Sequence, residues 1–299
     1  MSRLHELTGE PGRLDQVVAS LLGVPRADVQ RAIAAGRVTV DGAERAKSYR
    51  LEGGERIEVD LPDTSEIPPE GPPLDVRYRD DHVLVVSKPA GLVTHPTASH
   101  RTNTLVNRLL GMGVPLSQAG GWLRPGIVHR LDAGTSGLVI VACDDETHEA
   151  LAAMLHDHLV QRTYLALVRG GVAHDAFIVD APLQRRRAKI VVRQATGKPA
   201  ETAFEALERF EVATLLQATP RTGRTHQIRV HLSAIGHPII GDRAYGGGGD
   251  LATSLGLKRP FLHAARLAFD HPRTGKRIEV EEPLPDDLAE ALRRIRGED

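Results

Sequence analysis

The sequence predicts an α+β chain in two parts: a small helix-and-hairpin module, then a larger body of strands and helices. Three observations carry this. Leu14, Val17, Val18, Leu21 and Leu22 recur at helical spacing, and "RVTVDGAERAK" alternates around Asp41-Gly42 shortly after. Residues 62–75, "PDTSEIPPEGPPLD", are rich in proline and acid and lack periodicity, which reads as a linker. Beyond them, β-patterned runs greatly outnumber helical ones.

The first helix covers the 14–22 stretch. A second runs over 26–35, entered through Pro25 and ended by Gly36. Asp41-Gly42 is a strong hairpin signal, and "RIEVDL" at 56–61 supplies a further strand. A module over 1–61 lies near the lower size limit for independent stability. In the body, 76–299, strands fit 76–79, 82–87, the run Gly137 to Cys143, 162–168, 174–180, 188–193, 201–210 and 212–219. One helix fits 146–160, with Leu151, Met154, Leu155 and Leu159 on one face; another fits Thr225 to Ile235, closing on Gly236. "GGGG" at 246–249 lacks the Gly-Lys-Ser/Thr ending of a phosphate loop and reads as a flexible turn.

The 299 residues suffice for one sizeable core and a smaller domain, and the formal net charge is only −1. Any claim of a nucleic-acid partner must therefore rest on local patches. The single Cys143 excludes a disulfide framework, fits a reducing cytosol, and reads as a small buried hydrophobe. "MSRLHELTGEPGRL" does not resemble a signal peptide, and no uncharged apolar run approaches the roughly 20 residues that span a bilayer. A soluble, cytoplasmic protein is expected. Arginine outnumbers lysine, which suits phosphate recognition but equally fits a genome-wide bias. Aromatics make up 3% of the chain, which argues against a surface built mainly on stacking platforms.

Three stretches concentrate polar groups: His129 to Ser136, Arg162-Thr163-Tyr164, and "RTGRTHQIRVH" at 221–231. In the first, His129, Arg130 and Asp132 stand at the mouth of an apolar strand, where they cost desolvation energy unless they pair or work. An ordinary capped loop–strand junction has the same look. Residues 181–232 hold ten Lys or Arg against four Glu, including Arg185, Arg186, Arg187, Lys189 and Arg193. Such a run is either a solvated face or, beside a helix starting at Thr225, a phosphate site.

Several enzyme classes fail on spacing. "GTSGL" misses the Gly-x-Ser-x-Gly elbow because position 138 is leucine, and His129 with Asp132 has no positional support as a hydrolase pair. His156/His158 and His226/His231 lack the i, i+4 arrangement of helical zinc sites; the first pair reads as helix surface. Two-carboxylate glycoside hydrolysis is disfavoured because Asp132 is the one acid at the strand mouth.

"HRLDAGTSGL" resembles the signature of the RluA-type pseudouridine synthases, which isomerise uridine in RNA. "KPAGLVTHP", "LRPGIVHRLD", "RTYLALVRG", "GKPAETAF", "GRTHQIRVHL", "GHPIIGDRAYG" and "FLHAARL" follow in the family's order across nearly all of 76–285. Residues 12–61 resemble the S4-type RNA-binding module. The resemblance implies a core built on a central, largely antiparallel or mixed sheet with flanking helices and a cleft, using no metal and no organic cofactor. It implies Asp132 as catalytic aspartate, Tyr164 as active-site tyrosine, and Arg229 as the arginine that pairs with the aspartate. Arg130 matches a residue that helps displace the target base. Together with the basic run, this makes Arg130, Arg187, Lys189, Arg221, Arg224 and His226 the expected RNA contacts. His129 is expected to be a structural donor. Two departures from the family pattern are Ala133-Gly134, where charge is common, and Asn103, where glycine is common.

Pseudouridine formation breaks N1–C1′, turns the uracil and joins C5 to C1′, with no net oxidation. One carboxylate suffices, attacking the sugar carbon or removing a sugar proton, and either role needs the anion. Free Asp, with a pKa of about 3.9, is ionised at pH 7. A facing guanidinium opposes the desolvation that RNA would bring. The target base must leave its stack, which favours exposed uridines of structured RNA. Large-subunit ribosomal RNA, or its assembly precursor, is the expected partner. A non-catalytic RNA-binding protein and a nucleoside or glycosidic hydrolase are the alternatives.

Overall fold

The computed structural model describes residues 3–61, 67–97, 100–187 and 189–298, so residues 62–66 of the expected linker lie outside the described residues. The described chain divides into two compact units, one of 1–73, 95–128 and 142–149, the other of 74–94, 129–141 and 150–299.

In the first unit, β1 (Arg3–Thr8), β2 (Gly12–Arg13), α1 (Leu14–Leu22), α2 (Arg26–Ala34), β3 (Val38–Val40), β4 (Ala43–Glu44), β5 (Arg50–Leu51) and β6 (Arg56–Leu61) follow in order. The sheet runs β1-β6-β3-β4. Asp41 and Gly42 both take positive φ, 49° and 77°, the twist that a two-residue hairpin requires. Leu14, Val18, Val29, Ile57 and Val59 are wholly buried between the helices and the sheet.

Asp15 is also wholly buried. Burial works against its charge, but Arg13, Arg26 and Gln30 all donate to the carboxylate, and its pKa falls to about 2. The folded value lies below the unfolded one, so the stabilisation is complete above pH 3.8 and is lost as pH falls through about 2. Asp15→Asn is expected to destabilise this unit by about 2 kcal/mol at pH 7. Hydrogen exchange over residues 14–34 should show faster opening in the variant at pH 7; equal protection would refute the assignment.

In the second unit, β7 (Asp75–Arg79) and β8 (Val83–Lys88) precede α3 (Leu105–Gly111), which belongs to the first unit. There follow β9 (Ser136–Ala142), α4 (Asp145–His156), β10 (Gln161–Arg169), β11 (Ala176–Asp180), β12 (Leu183–Arg186), β13 (Lys189–Val192), β14 (Glu201–Arg209), β15 (Ala213–Pro220) and α5 (Gln227–Ala234). The chain ends with α6 (Asp250–Ser254), β16 (Leu262–Asp270), β17 (Arg277–Glu281) and α7 (Asp286–Arg296). A nine-stranded sheet runs β11-β14-β15-β10-β16-β9-β8-β7, with β17 also on β16. It is mixed: β9 joins β16 in parallel, while β10, β14 and β15 pair antiparallel. Every residue of β9 is buried, as its continuous apolar run requires.

Several elements differ from expectation. β9 stops at Ala142, so Cys143 lies outside the strand and is half-buried. α4 stops at His156; His158 then takes φ 62°, turning the chain into β10 and leaving Leu159 60% exposed. α5 begins at Gln227, after a left-handed His226, and Thr225 lies before it. The glycine run is a packed turn. Gly247 donates to Asp242 O at 2.8 Å and accepts from Gly241 N–H at 2.7 Å, and a Cβ at 247 would strike the Ile239 carbonyl. β16, β17 and α7 are not among the expected elements, although "RIEVE" of β17 alternates as "RIEVDL" does and α7 has an apolar stripe. α7 buries Leu288, Ala291 and Leu292 and turns its many charges outward.

Asn103 takes φ 50°, and its N–H donates to Glu70. Asparagine is among the few residues that tolerate this backbone without the freedom of glycine.

Candidate active site

The stretch before β9 is tied down by its backbone. Lys88, fully buried, donates to the carbonyls of Pro89 and Leu92 at 2.9 Å and of Ala133 at 3.4 Å. Gly91 N–H donates to Ala133 O at 2.7 Å, and Thr94 Oγ1 to Leu131 O at 2.8 Å. Both neighbours of Asp132 are thereby held through main-chain atoms, so the anchoring needs no charged side chain at 133 or 134. Ile140 N–H donates to His129 Nε2 at 2.9 Å. His129 is therefore an acceptor, contrary to its expected role as donor. Desolvation, and secondarily the Arg162 guanidinium, push its pKa down to about 3, which keeps that lone pair available.

Asp132 meets Arg229, 97 residues on, through Arg229 Nη1 at 3.0 Å. The other edge of the guanidinium belongs to Asp242: Nε donates at 2.6 Å and Nη2 at 2.9 Å. Asp242 is 1% exposed and also accepts from Ala244 N–H at 3.2 Å, which fixes the turn Arg243–Tyr245. Burial disfavours the Arg229 cation, but Asp242 and then Asp132 outweigh it, and its pKa is raised. Sequence reasoning assigned no role to Asp242, so the expectation of one acid at this site is corrected to two. The second is occupied by its bidentate pair. An aspartate directly after the apolar "PIIG" run was the available signal.

Tyr245 was likewise missed. Its ring lies under Arg229, with Cζ 5.0 Å from the centroid, and its hydroxyl is 2.8 Å from His226 Nδ1. Ile190 N–H donates to the same hydroxyl at 3.3 Å. His226 Nε2 lies 3.8 Å from Asp132 Oδ1. Burial lowers the His226 pKa despite the pull of Asp132, so the imidazole is neutral at pH 7. His226, expected among the RNA contacts, lies beside the aspartate with its side chain partly exposed.

Tyr164, 7% exposed on β10, has its pKa raised by burial and, to a lesser degree, by Asp132, with Arg162 opposing. Asp132, Arg229 and His226 thus form one cluster, and the Asp132 charge is felt at Tyr164. Arg130 is exposed and close enough to act on His226. Arg187 and Lys189 are exposed at the tip of the β12–β13 hairpin. Arg221 pairs with Glu201 at 3.0 Å, and Arg224 Nε donates to Pro199 O at 3.1 Å, so part of their donor capacity is already used.

A family model described as RNA pseudouridylate synthase matches residues 82–234, and an S4 domain model matches 12–57. An uncharacterized RNA pseudouridine synthase of Bacillus subtilis is 42% identical over 291 residues, covering 95% of this chain and 94% of its own. The ribosomal large subunit pseudouridine synthase D of Nitrosomonas europaea is 43% identical, covering 95% of this chain and 85% of its own. Among solved structures, human RNA pseudouridylate synthase domain containing 1 aligns with TM-score 0.56 and 26% identity. That alignment covers 72% of this chain and 86% of the human one.

Proposed function

Because the chain belongs to the RNA pseudouridylate synthase family, we propose that it isomerises uridines of large-subunit ribosomal RNA, with Asp132 as the reacting carboxylate. The Asp132–Arg229 contact at 3.0 Å is the observation that carries this reading. Asp242 takes Nε–H and one N–H of Nη2. Arg229 gives Asp132 a single hydrogen bond, from Nη1 to Oδ2, so Oδ1 accepts none from it and is the oxygen assigned to the ribose. Arg229 acts by charge and position, since a guanidinium does not give up its proton near neutral pH. The RNA substrate rests on the relative from Nitrosomonas europaea, whose name specifies the ribosomal large subunit.

The reacting uridine leaves its stack so that C1′ reaches the carboxylate, and Arg130 fills the vacated space. Tyr164 sets a buried ring against the uracil. Residues 1–61 act as an RNA-binding module, 62–75 as a linker and 76–299 as the catalytic domain, in keeping with the matched S4 and synthase segments. Among the described residues no helix is long and apolar enough to cross a membrane. A cytoplasmic site of action follows from the proposed substrate.

Mapping pseudouridines in RNA from cells with and without the gene tests the substrate. Loss of one or more large-subunit sites is expected; an unchanged map refutes the ribosomal assignment. Arg187 and Lys189 are assigned to RNA phosphates. Replacing both with alanine should weaken binding of any RNA sequence alike and lower the salt slope of log K by about 2. A sequence-selective loss in filter binding would contradict that role.

A further inference from the structure

Arg162 stands near the start of β10, two residues before Tyr164, and is 7% exposed. Its bonding is poor for a buried cation. Nη2 reaches the carbonyls of Pro220 and Thr222 only at 3.4 and 3.5 Å, and Nε has no acceptor. No carboxylate among the described residues pairs with it. A guanidinium withdrawn from water costs desolvation energy, which two long hydrogen bonds to carbonyls offset only in part. Gly223 adds a second observation: a Cβ there would lie 3.2 Å from Arg162 Nη1, so the glycine leaves that end of the fork uncovered.

The charge is felt at the site. Arg162 opposes the rise in the Tyr164 pKa that burial causes and Asp132 reinforces, so both charges act on this phenol. A phosphate on the RNA backbone has exposed arginines such as Arg130 and Arg224 to meet. A cation this deeply buried is reached by a group that enters the site, and the extruded base is that group.

We propose that Arg162 is a further catalytic residue, whose buried guanidinium holds the uracil anion released when the glycosidic bond breaks. This rests on the synthase reading above. Cleavage of N1–C1′ leaves the bonding electron pair on the base, with the negative charge spread over N1, O2 and O4. Asp132 meanwhile gives up its negative charge, either by bonding to C1′ or by taking a sugar proton. When C5 bonds to C1′, the carboxylate is restored, C5 loses its proton and N1 gains one, so atoms and charge balance. A cation placed for the intermediate and unpaired beforehand stabilises the transition state more than the ground state.

The test uses the full chain and in vitro transcripts of large-subunit ribosomal RNA containing uridine or 5-fluorouridine. Fluorine at C5 makes the departing base a better anion. Consumption of the target nucleoside is followed in a single turnover at saturating enzyme. Arg162→Gln should lower the rate constant for uridine by roughly 10²-fold, with RNA affinity within about threefold, and the defect should shrink for 5-fluorouridine. Arg162→Lys keeps the charge without the planar fork and should recover part of the rate; it also serves if the glutamine variant does not fold. A loss of affinity with an unchanged saturated rate would make Arg162 a phosphate contact. Equal defects with both bases would make it structural. Either result overturns the assignment. If the wild-type chain yields no pseudouridine, the synthase reading falls and this assignment with it, an outcome distinct from both.

Discussion

Asp132→Asn is expected to abolish pseudouridine formation, lowering the single-turnover rate by at least about 10⁴-fold while RNA affinity stays within about threefold. The amide is nearly isosteric but supplies neither a nucleophilic oxygen nor a base. Arg229 retains its two bonds to Asp242, so the cluster should keep its geometry. Mass spectrometry of digested RNA reads the product. Retained activity would remove Asp132 from the mechanism. The same assay separates the alternatives: a hydrolase releases free uracil and leaves an abasic ribose, whereas an isomerase keeps base and sugar joined. A protein that only binds RNA would show neither product with the wild-type chain.

Asp242→Asn should lower the single-turnover rate by roughly 10- to 100-fold through misplacement of Arg229, with little change in RNA affinity. Asp242 takes the Nε–Nη2 edge of Arg229 and so determines which N–H faces Asp132. Without its charge, the guanidinium can turn that edge toward Asp132 and grip both carboxylate oxygens, withdrawing the one left for the ribose. Asp242 is a positioning residue in this account. Asp242→Glu, which restores the charge on a longer stem, should recover part of the rate without restoring wild-type values. A thermal shift with an unchanged rate would reduce Asp242 to a structural role.

Much of the architecture was legible because its signals are local. The α1 spacing, the Asp41-Gly42 turn and the apolar run of β9 each lie within about ten residues of chain. The same reading erred at element ends. The helical pattern of α4 continues to Leu159, but a left-handed His158 stops it so that the chain can enter β10. "GHPIIGDRAYG" was legible as part of the resemblance, yet the roles of Asp242 and Tyr245 within it were not. An aspartate followed by a turn looks like a cap, and Asp242 does cap one through Ala244 N–H. Only its carboxylate pair with Arg229 shows the further role.

Sequence alone determined the α+β class, the two-part organisation and the expectation that Asp132 and Arg229 meet, because periodicity, turn chemistry and family segments are all written along the chain. Tertiary structure decided which end of Arg229 faces Asp132, that His226 lies beside that carboxylate, and that Arg162 is buried with no carboxylate partner among the described residues. The reason is geometric. Parallel pairing of β9 with β16 and the approach of α5 bring together groups as much as 97 residues apart, and the direction of a guanidinium depends on every acid around it.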